Sequence, residues 1–257
     1  MFPDLFSIGP LTVHTYGLFV ALGFALGISI TIKMGKRRGI SPQQVMDMAF
    51  VMILFAILGS RLLYVFMNFH HFRGHPLDAF KVWQGGLVFS GGFLAVAAAM
   101  AWYLRNQHLS FWAAGDLWAP ALALGQAVGR IGCFMAGCCF GKPTDLPWAT
   151  VFTHPHTLAP PNIPLHPTQL YASFAGFAIF AVLIFVNRAR KFQGQVFLWY
   201  LILHSTARLF IERFRADNRG FIPGTEMSLT QLISALVLLA AIVGLFVLKP
   251  LQRQMDE

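Results

Sequence analysis

Charge is what this 257-residue chain has least of: only 11% of its residues are Asp, Glu, Lys or Arg, where a soluble domain carries about 25%. Charged side chains cover the surface of a soluble protein, so a chain that is 56% hydrophobic cannot shield its apolar surface with so few. The shortage excludes an ordinary soluble domain, and the apolar content excludes a disordered chain. Acidic residues are scarcer still, 10 against 19 Lys and Arg, which leaves a formal net charge of +9. Nucleic acid is one standard partner for a basic chain. Here the cations are scattered between apolar runs, so no nucleic-acid partner is expected and anionic lipid is their natural counterpart. Also missing are internal repeats, low-complexity tracts and any soluble-domain segment. Neither GxGxxG nor GxxxxGK[ST] occurs in a strand-to-helix setting, which excludes the common nucleotide-binding loops.

What the chain has instead is a succession of runs long enough to span a bilayer, for which about 18 largely apolar residues suffice. A sliding hydrophobic window places spans at roughly 14–33, 44–67, 87–104, 112–129, 168–187, 195–213 and 228–248. The expected fold class is therefore all-α integral membrane protein, about seven transmembrane helices, in a single membrane-embedded domain over 1–257. Asp116 and Pro120 interrupt the fourth run, which suggests a kinked or partly re-entrant helix.

No Lys or Arg precedes Lys33, after which Lys36, Arg37 and Arg38 follow at once. A secretory signal peptide needs its positive charge first, so the first span reads as a retained helix with its amino end outside. Seven spans then put the carboxyl end inside, with Arg105, Arg188, Arg190, Lys191, Lys249 and Arg253 on the cytoplasmic side. Nine cations remain outside or near the outer helix ends. For Arg73, Lys81, Arg215 and Arg219 solvated or snorkelling positions suffice. Arg61, Arg130 and Arg208 sit at or within the outer part of helices, where an ionisable group is costly and usually functional. Together they predict a site for one lipid phosphate.

The longest polar excursion, 130–167, reads as an external loop or head segment, where function is expected. Its densest part is Gly129-Arg130-Ile131-Gly132-Cys133-Phe134-Met135-Ala136-Gly137-Cys138-Cys139-Phe140-Gly141-Lys142. Four glycines allow close backbone approach, while Arg130 and Lys142 supply charge for an anion. All of the chain's cysteines, Cys133, Cys138 and Cys139, lie here, outside, where disulfides persist. Three readings stay open: structural thiols or one disulfide, a reactive thiol, or a metal site. Cys-x4-Cys-Cys lacks the paired spacing of zinc sites, and no metal or cofactor is expected.

On the sixth span His204, Arg208 and Glu212 recur every four residues and share a face, suited to binding a phosphate and orienting it or handling a proton. His166-Pro167-Thr168-Gln169-Leu170-Tyr171, where the fifth span begins, suggests a lipid head-group site. Val82-Trp83-Gln84-Gly85-Gly86 and Ser90-Gly91-Gly92 permit a break or tight approach of helices. His14 and Tyr16 open the first helix at the same level.

Taken in order, these motifs resemble the bacterial phosphatidylglycerol–prolipoprotein diacylglyceryl transferases. The likeness covers most of the chain, from Phe6-Ser7-Ile8-Gly9-Pro10 and His14-Thr15-Tyr16-Gly17 through Gly59-Ser60-Arg61, Gly129-Arg130-Ile131-Gly132 and His166–Tyr171 to Arg208–Arg215. It implies a multi-pass inner-membrane enzyme, with its active site facing the periplasm and no cofactor. The implied reaction moves diacylglycerol from phosphatidylglycerol to the lipobox cysteine thiol of a preprolipoprotein, forming a thioether and releasing glycerol phosphate. A monomer is expected. The resemblance implies catalytic roles at Arg130, Arg208, Glu212 and His204. Substrate binding falls to Tyr16, Arg61, Ser90, Gly141, His166, Gln169 and Tyr171. Ser90 stands where the family usually has a histidine, Cys133 and Cys138 where it has asparagine and glutamate, and His204 where it has tyrosine. Rival readings are a sister enzyme with a different acceptor, a membrane thiol–disulfide carrier, which lacks a Cys-x-x-Cys pair, and a transporter or channel.

Overall fold

The protein is described here by a computed structural model covering residues 2–8, 11–74, 76–216 and 227–256; Arg219 and the Gly9-Pro10 pair lie outside the described residues. Helices stand where the apolar runs fall: α1 (Thr15–Lys36), α2 (Pro42–Met67), the single turn α3 (Phe69–Phe72), α4 (Phe89–Asn106), α5 (Phe111–Ala136), α6 (Thr168–Arg188), α7 (Gln195–Glu212) and α8 (Leu229–Asp256). Two antiparallel ribbons that the helical periodicity does not reveal accompany them: β1 (Asp4–Ile8) with β2 (Leu11–His14), and β3 (Thr150–Val151) with β4 (Pro164–Leu165). Five helices are long and apolar enough to cross a membrane: α1, α2, α5, α6 and the Leu229–Leu248 part of α8. α4 and α7, 18 residues each, are long enough but less apolar: α4 ends in Arg105 and Asn106, and α7 carries His204, Arg208 and Glu212. Phe66, Phe89, Phe174 and Phe246 are each more than three-quarters exposed, as expected where hydrocarbon is the solvent.

The chain forms two compact units, residues 32–114 and residues 1–31 with 115–257. In the first, α2 and α4 meet at glycines. A methyl group on Gly91 would lie 2.3 Å from the Gly59 carbonyl oxygen, and one on Gly92 2.8 Å from that of Ala56. The tight approach expected of the second glycine pair is present. The first pair makes the turn before α4, Gly85 and Gly86 having φ of 85° and 71°. Ser41 opens α2 with a reciprocal capping box to Gln44.

In the other unit small residues again set the packing. Gly23 faces Gly125 across α1 and α5, Gly132 faces Tyr16 and Phe19, and Gly176 of α6 faces Ala127. Ser173 donates to the Ala127 carbonyl at 2.8 Å. Such contacts let backbones approach closely where lipid supplies no hydrophobic drive.

The fourth span is one helix that continues through Pro120 to Ala136, so residues 130–136 of the expected external segment are helical. Asp116 lies in α5 for a different reason. Fully buried, it accepts the backbone N–H groups of Gly194 at 2.8 Å and Phe197 at 2.9 Å, with Arg190 at 3.3 Å. It caps α7 from a neighbouring helix, satisfying donors that a helix start leaves unpaired. Replacing Asp116 by Ala should cost about 3 kcal/mol, read as a lowered unfolding temperature in detergent, with Asn intermediate.

Candidate active site

The expected site residues of the larger unit converge where α1, α5, α6 and α7 meet the segment after α5. Gly132 has no side chain, so α1 lies against α5 with Tyr16 alongside. Tyr16 is thereby within electrostatic reach of Arg130 and of all three cysteines. Arg130 of α5 and Arg208 of α7 both reach His204 of α7 electrostatically, whose ring stacks on Tyr200 at 5.5 Å. Arg208 and Glu212 form an ion pair at 2.9 Å, with side chains only 12% and 7% exposed. Glu212 also accepts from the Ser228 hydroxyl at 3.3 Å. The shared face expected from i, i+4 spacing is thus realised as a buried cation with its counter-ion.

Residues 137–143 are held by backbone pairing on two sides. Gly141 N–H donates to the His166 carbonyl at 3.0 Å, His166 N–H returns to Lys142, and Lys142 N–H donates to Phe214 at 2.7 Å. Gly141 also bridges to Arg215. A methyl group on Gly141 would sit 2.5–2.7 Å from His166 and the Phe214 carbonyl, so close approach accounts for this glycine. His166 and Tyr171 share a contact of 3.2 Å, and Trp148 donates to the Tyr171 hydroxyl at 2.8 Å. These residues form the polar rim of an apolar cavity of about 780 Å³ between α6 and α7, walled by Leu170, Phe174, Phe210 and Phe214. Its volume is in the range of small-molecule sites.

Cys133, Cys138 and Cys139 form no disulfide with one another, and their sulfurs lie within 4.8 Å of one another. Cys139 has a left-handed φ of 60° and Gly137 one of 74°, turning the loop back on itself. The start of α6 fixes that turn: Thr168 donates to the Cys139 carbonyl and Gln169 to that of Cys138, both at 2.8 Å. Both side chains are buried, and the Gln169 Oε1 has no hydrogen-bond partner. Hydrogen bonds from Cys133 and Cys138, together with Arg215, hold the Cys139 thiol well below the usual thiol range. Those with Cys133 and Cys139 push Cys138 up.

Arg215 corrects the snorkelling reading. It is 5% exposed and lies against the Cys139 sulfur, because its backbone bridge to Gly141 turns it inward. Its place in the Arg208–Arg215 stretch was the available signal. Lys81 pairs at the surface with Asp78 at 2.6 Å, as a solvated cation does. Arg61 and Ser90 belong to the smaller unit. Ser90 is exposed. Arg61 is buried, and its guanidinium donates to the carbonyls of Asp78, Ala79, Gly85 and Gly86 at 2.6–3.3 Å, with Tyr64 and Phe72 rings at 5.4 and 5.5 Å. In this unit it organises the 78–86 segment.

Residues 3–247 match the family model described as prolipoprotein diacylglyceryl transferase. The chain belongs to that family. It is 36% identical to the phosphatidylglycerol–prolipoprotein diacylglyceryl transferase of Clostridium tetani over 96% of both chains. With that of Nitrosospira multiformis it shares 37% identity over 95% of this chain and 85% of the relative, and with that of Bordetella bronchiseptica 34% over 98% and 97%.

Proposed function

We infer that this chain transfers the diacylglyceryl group from phosphatidylglycerol to prolipoproteins. The observation that carries the reading is the convergence of Arg130, Arg208, His204 and Tyr16 in a chain matching the transferases over nearly its whole length. The finer proposal is that the acceptor is the lipobox cysteine thiol, that a thioether forms and that glycerol phosphate leaves. Substitution at the glycerol carbon moves negative charge onto the departing phosphate. Arginines fixed beside it bind that charge more tightly as it grows, which lowers the barrier instead of merely tightening substrate binding. Arg130 and Arg208 take this role, Glu212 holds Arg208 in place, and Arg61 acts through the 78–86 segment. His166 and Tyr171 contact the head group, Gln169 acts from behind by holding the Cys138 carbonyl, and the neighbouring apolar cavity takes an acyl chain.

We further propose a seven-span topology, with α4 and α7 crossing in the company of other helices, in a single monomeric domain whose site faces the outer side of a bacterial inner membrane; the five long apolar helices support a multi-pass arrangement. Complementation of a strain depleted of its own transferase tests the function. Mass spectrometry of a reporter lipoprotein should show the added diacylglyceryl mass on its lipobox cysteine; an unmodified reporter overturns the reading.

A further inference from the structure

Resting on the transferase reading, the reaction has one further requirement: the acceptor thiol, of pKa about 8.5, must lose its proton before its sulfur can attack carbon. The cluster of Cys133, Cys138 and Cys139 meets it. Zinc–sulfur bonds of about 2.3 Å in a tetrahedral site put sulfurs about 3.8 Å apart. These three, within 4.8 Å of one another, need only small side-chain rotations to reach that spacing. Thr168 and Gln169, both buried, fix the backbone of two of them through their carbonyls. Among the described residues no fourth Cys, His, Asp or Glu joins the group. Three ligands with one open position is the pattern of a reactive zinc site, whereas structural sites are closed by four. Arg215 beside Cys139 and Arg130 near Cys133 offset the excess negative charge of a zinc ion surrounded by thiolates.

We propose that Cys133, Cys138 and Cys139 bind a zinc ion whose fourth position takes the acceptor thiol of the prolipoprotein. On coordination the thiol displaces water and gives its proton to solvent, since a metal-bound thiol is deprotonated outright. The sulfur electron pair then forms the S–C bond to the glycerol carbon. The C–O bond breaks, and its electrons depart on glycerol phosphate. The thioether product, being neutral, is replaced by water. No oxidant or reductant takes part, which suits zinc, an ion without redox chemistry.

The test begins with full-length protein purified in detergent from zinc-supplemented cells. Metal analysis should find stoichiometric zinc in the native chain and none in Cys133→Ser/Cys138→Ser/Cys139→Ser. If that variant fails to fold, cobalt(II) loaded into the chelator-stripped native chain gives an independent reading. A sulfur-to-cobalt charge-transfer band should appear and change on adding a lipobox peptide, but not one with Ser for the lipobox Cys. Stripping should slow transfer about thirtyfold at pH 7, the ratio expected between a fully ionised thiol and one of pKa about 8.5, and zinc should restore it. Native protein without zinc, copper in its place, a Cys133 disulfide, or a cobalt spectrum indifferent to the thiol peptide each overturns the proposal. Full transfer by the stripped enzyme overturns it while leaving the transferase reading intact. A zinc-loaded chain that binds the thiol peptide yet transfers nothing from phosphatidylglycerol overturns the transferase reading instead.

Discussion

Replacing Arg208 by Gln should lower kcat for diacylglyceryl transfer by about 10²–10³-fold, the loss seen when one preorganised donor to a developing anion is removed. The side chain is 12% exposed, and its partner Glu212 only 7%, so the change also strands a carboxylate. Breaking a buried pair from one side costs about 3–5 kcal/mol. Stability and catalysis must therefore be read separately. Arg208→Gln/Glu212→Gln removes both charges and should recover most of the lost thermal stability in detergent. It should not recover turnover of labelled phosphatidylglycerol with a lipobox peptide, because the cation facing the phosphate is still missing. A double variant that regains both would make the pair purely structural. Arg130→Gln should behave like Arg208→Gln in kcat with a smaller stability loss, since it leaves the buried Arg208–Glu212 pair intact.

Gly141→Ala should be among the most damaging single-methyl additions in the larger unit. The new carbon would lie 2.6 Å from the His166 carbonyl oxygen and 2.7 Å from that of Phe214, and both are backbone atoms that cannot swing away. Relief requires separating residues 140–142 from 166 and from 214–215, which loses the pairing that holds this segment. Overpacking of this kind costs about 3 kcal/mol, and His166 and Arg215 move with the strands. The variant should unfold at a lower temperature and transfer poorly even at temperatures where it remains folded. Gly129→Ala is the matched control. A methyl group there meets nothing within 4 Å, so stability should be nearly unchanged.

The long helices were legible because each is an apolar run, and most of their ends fall within a few residues of the hydropathy window, though α5 and α8 run on to Ala136 and Asp256, past the expected ends at 129 and 248. The buried ion pair on α7 was legible because i, i+4 spacing is a property of the helix alone. What escaped the sequence depends on contacts between distant segments. Asp116 looks like a defect in its own helix until α7 arrives to be capped. Arg215 looks like a surface cation until residues 141 and 215 pair. The cysteines, with Cys138 and Cys139 five and six residues after Cys133, show no metal-site spacing, yet a left-handed residue at 139 and two hydrogen bonds from α6 gather their sulfurs. The ribbons are too short to impose a period of two. Of the four glycines in the signature stretch, Gly132 and Gly141 serve packing and Gly137 a turn, a division that composition does not reveal.

Arg61 sets how the 78–86 segment responds to its surroundings. A guanidinium stays charged at any pH a cell meets, and its planar fork can serve several acceptors at once. Four carbonyls converge on it from both ends of that segment. Acidification leaves such a clasp closed, and because it is buried, salt screens it little. The shape of this segment is thereby insulated from changes in acidity and ionic strength, under which a clasp built on histidine or on exposed carboxylates would loosen.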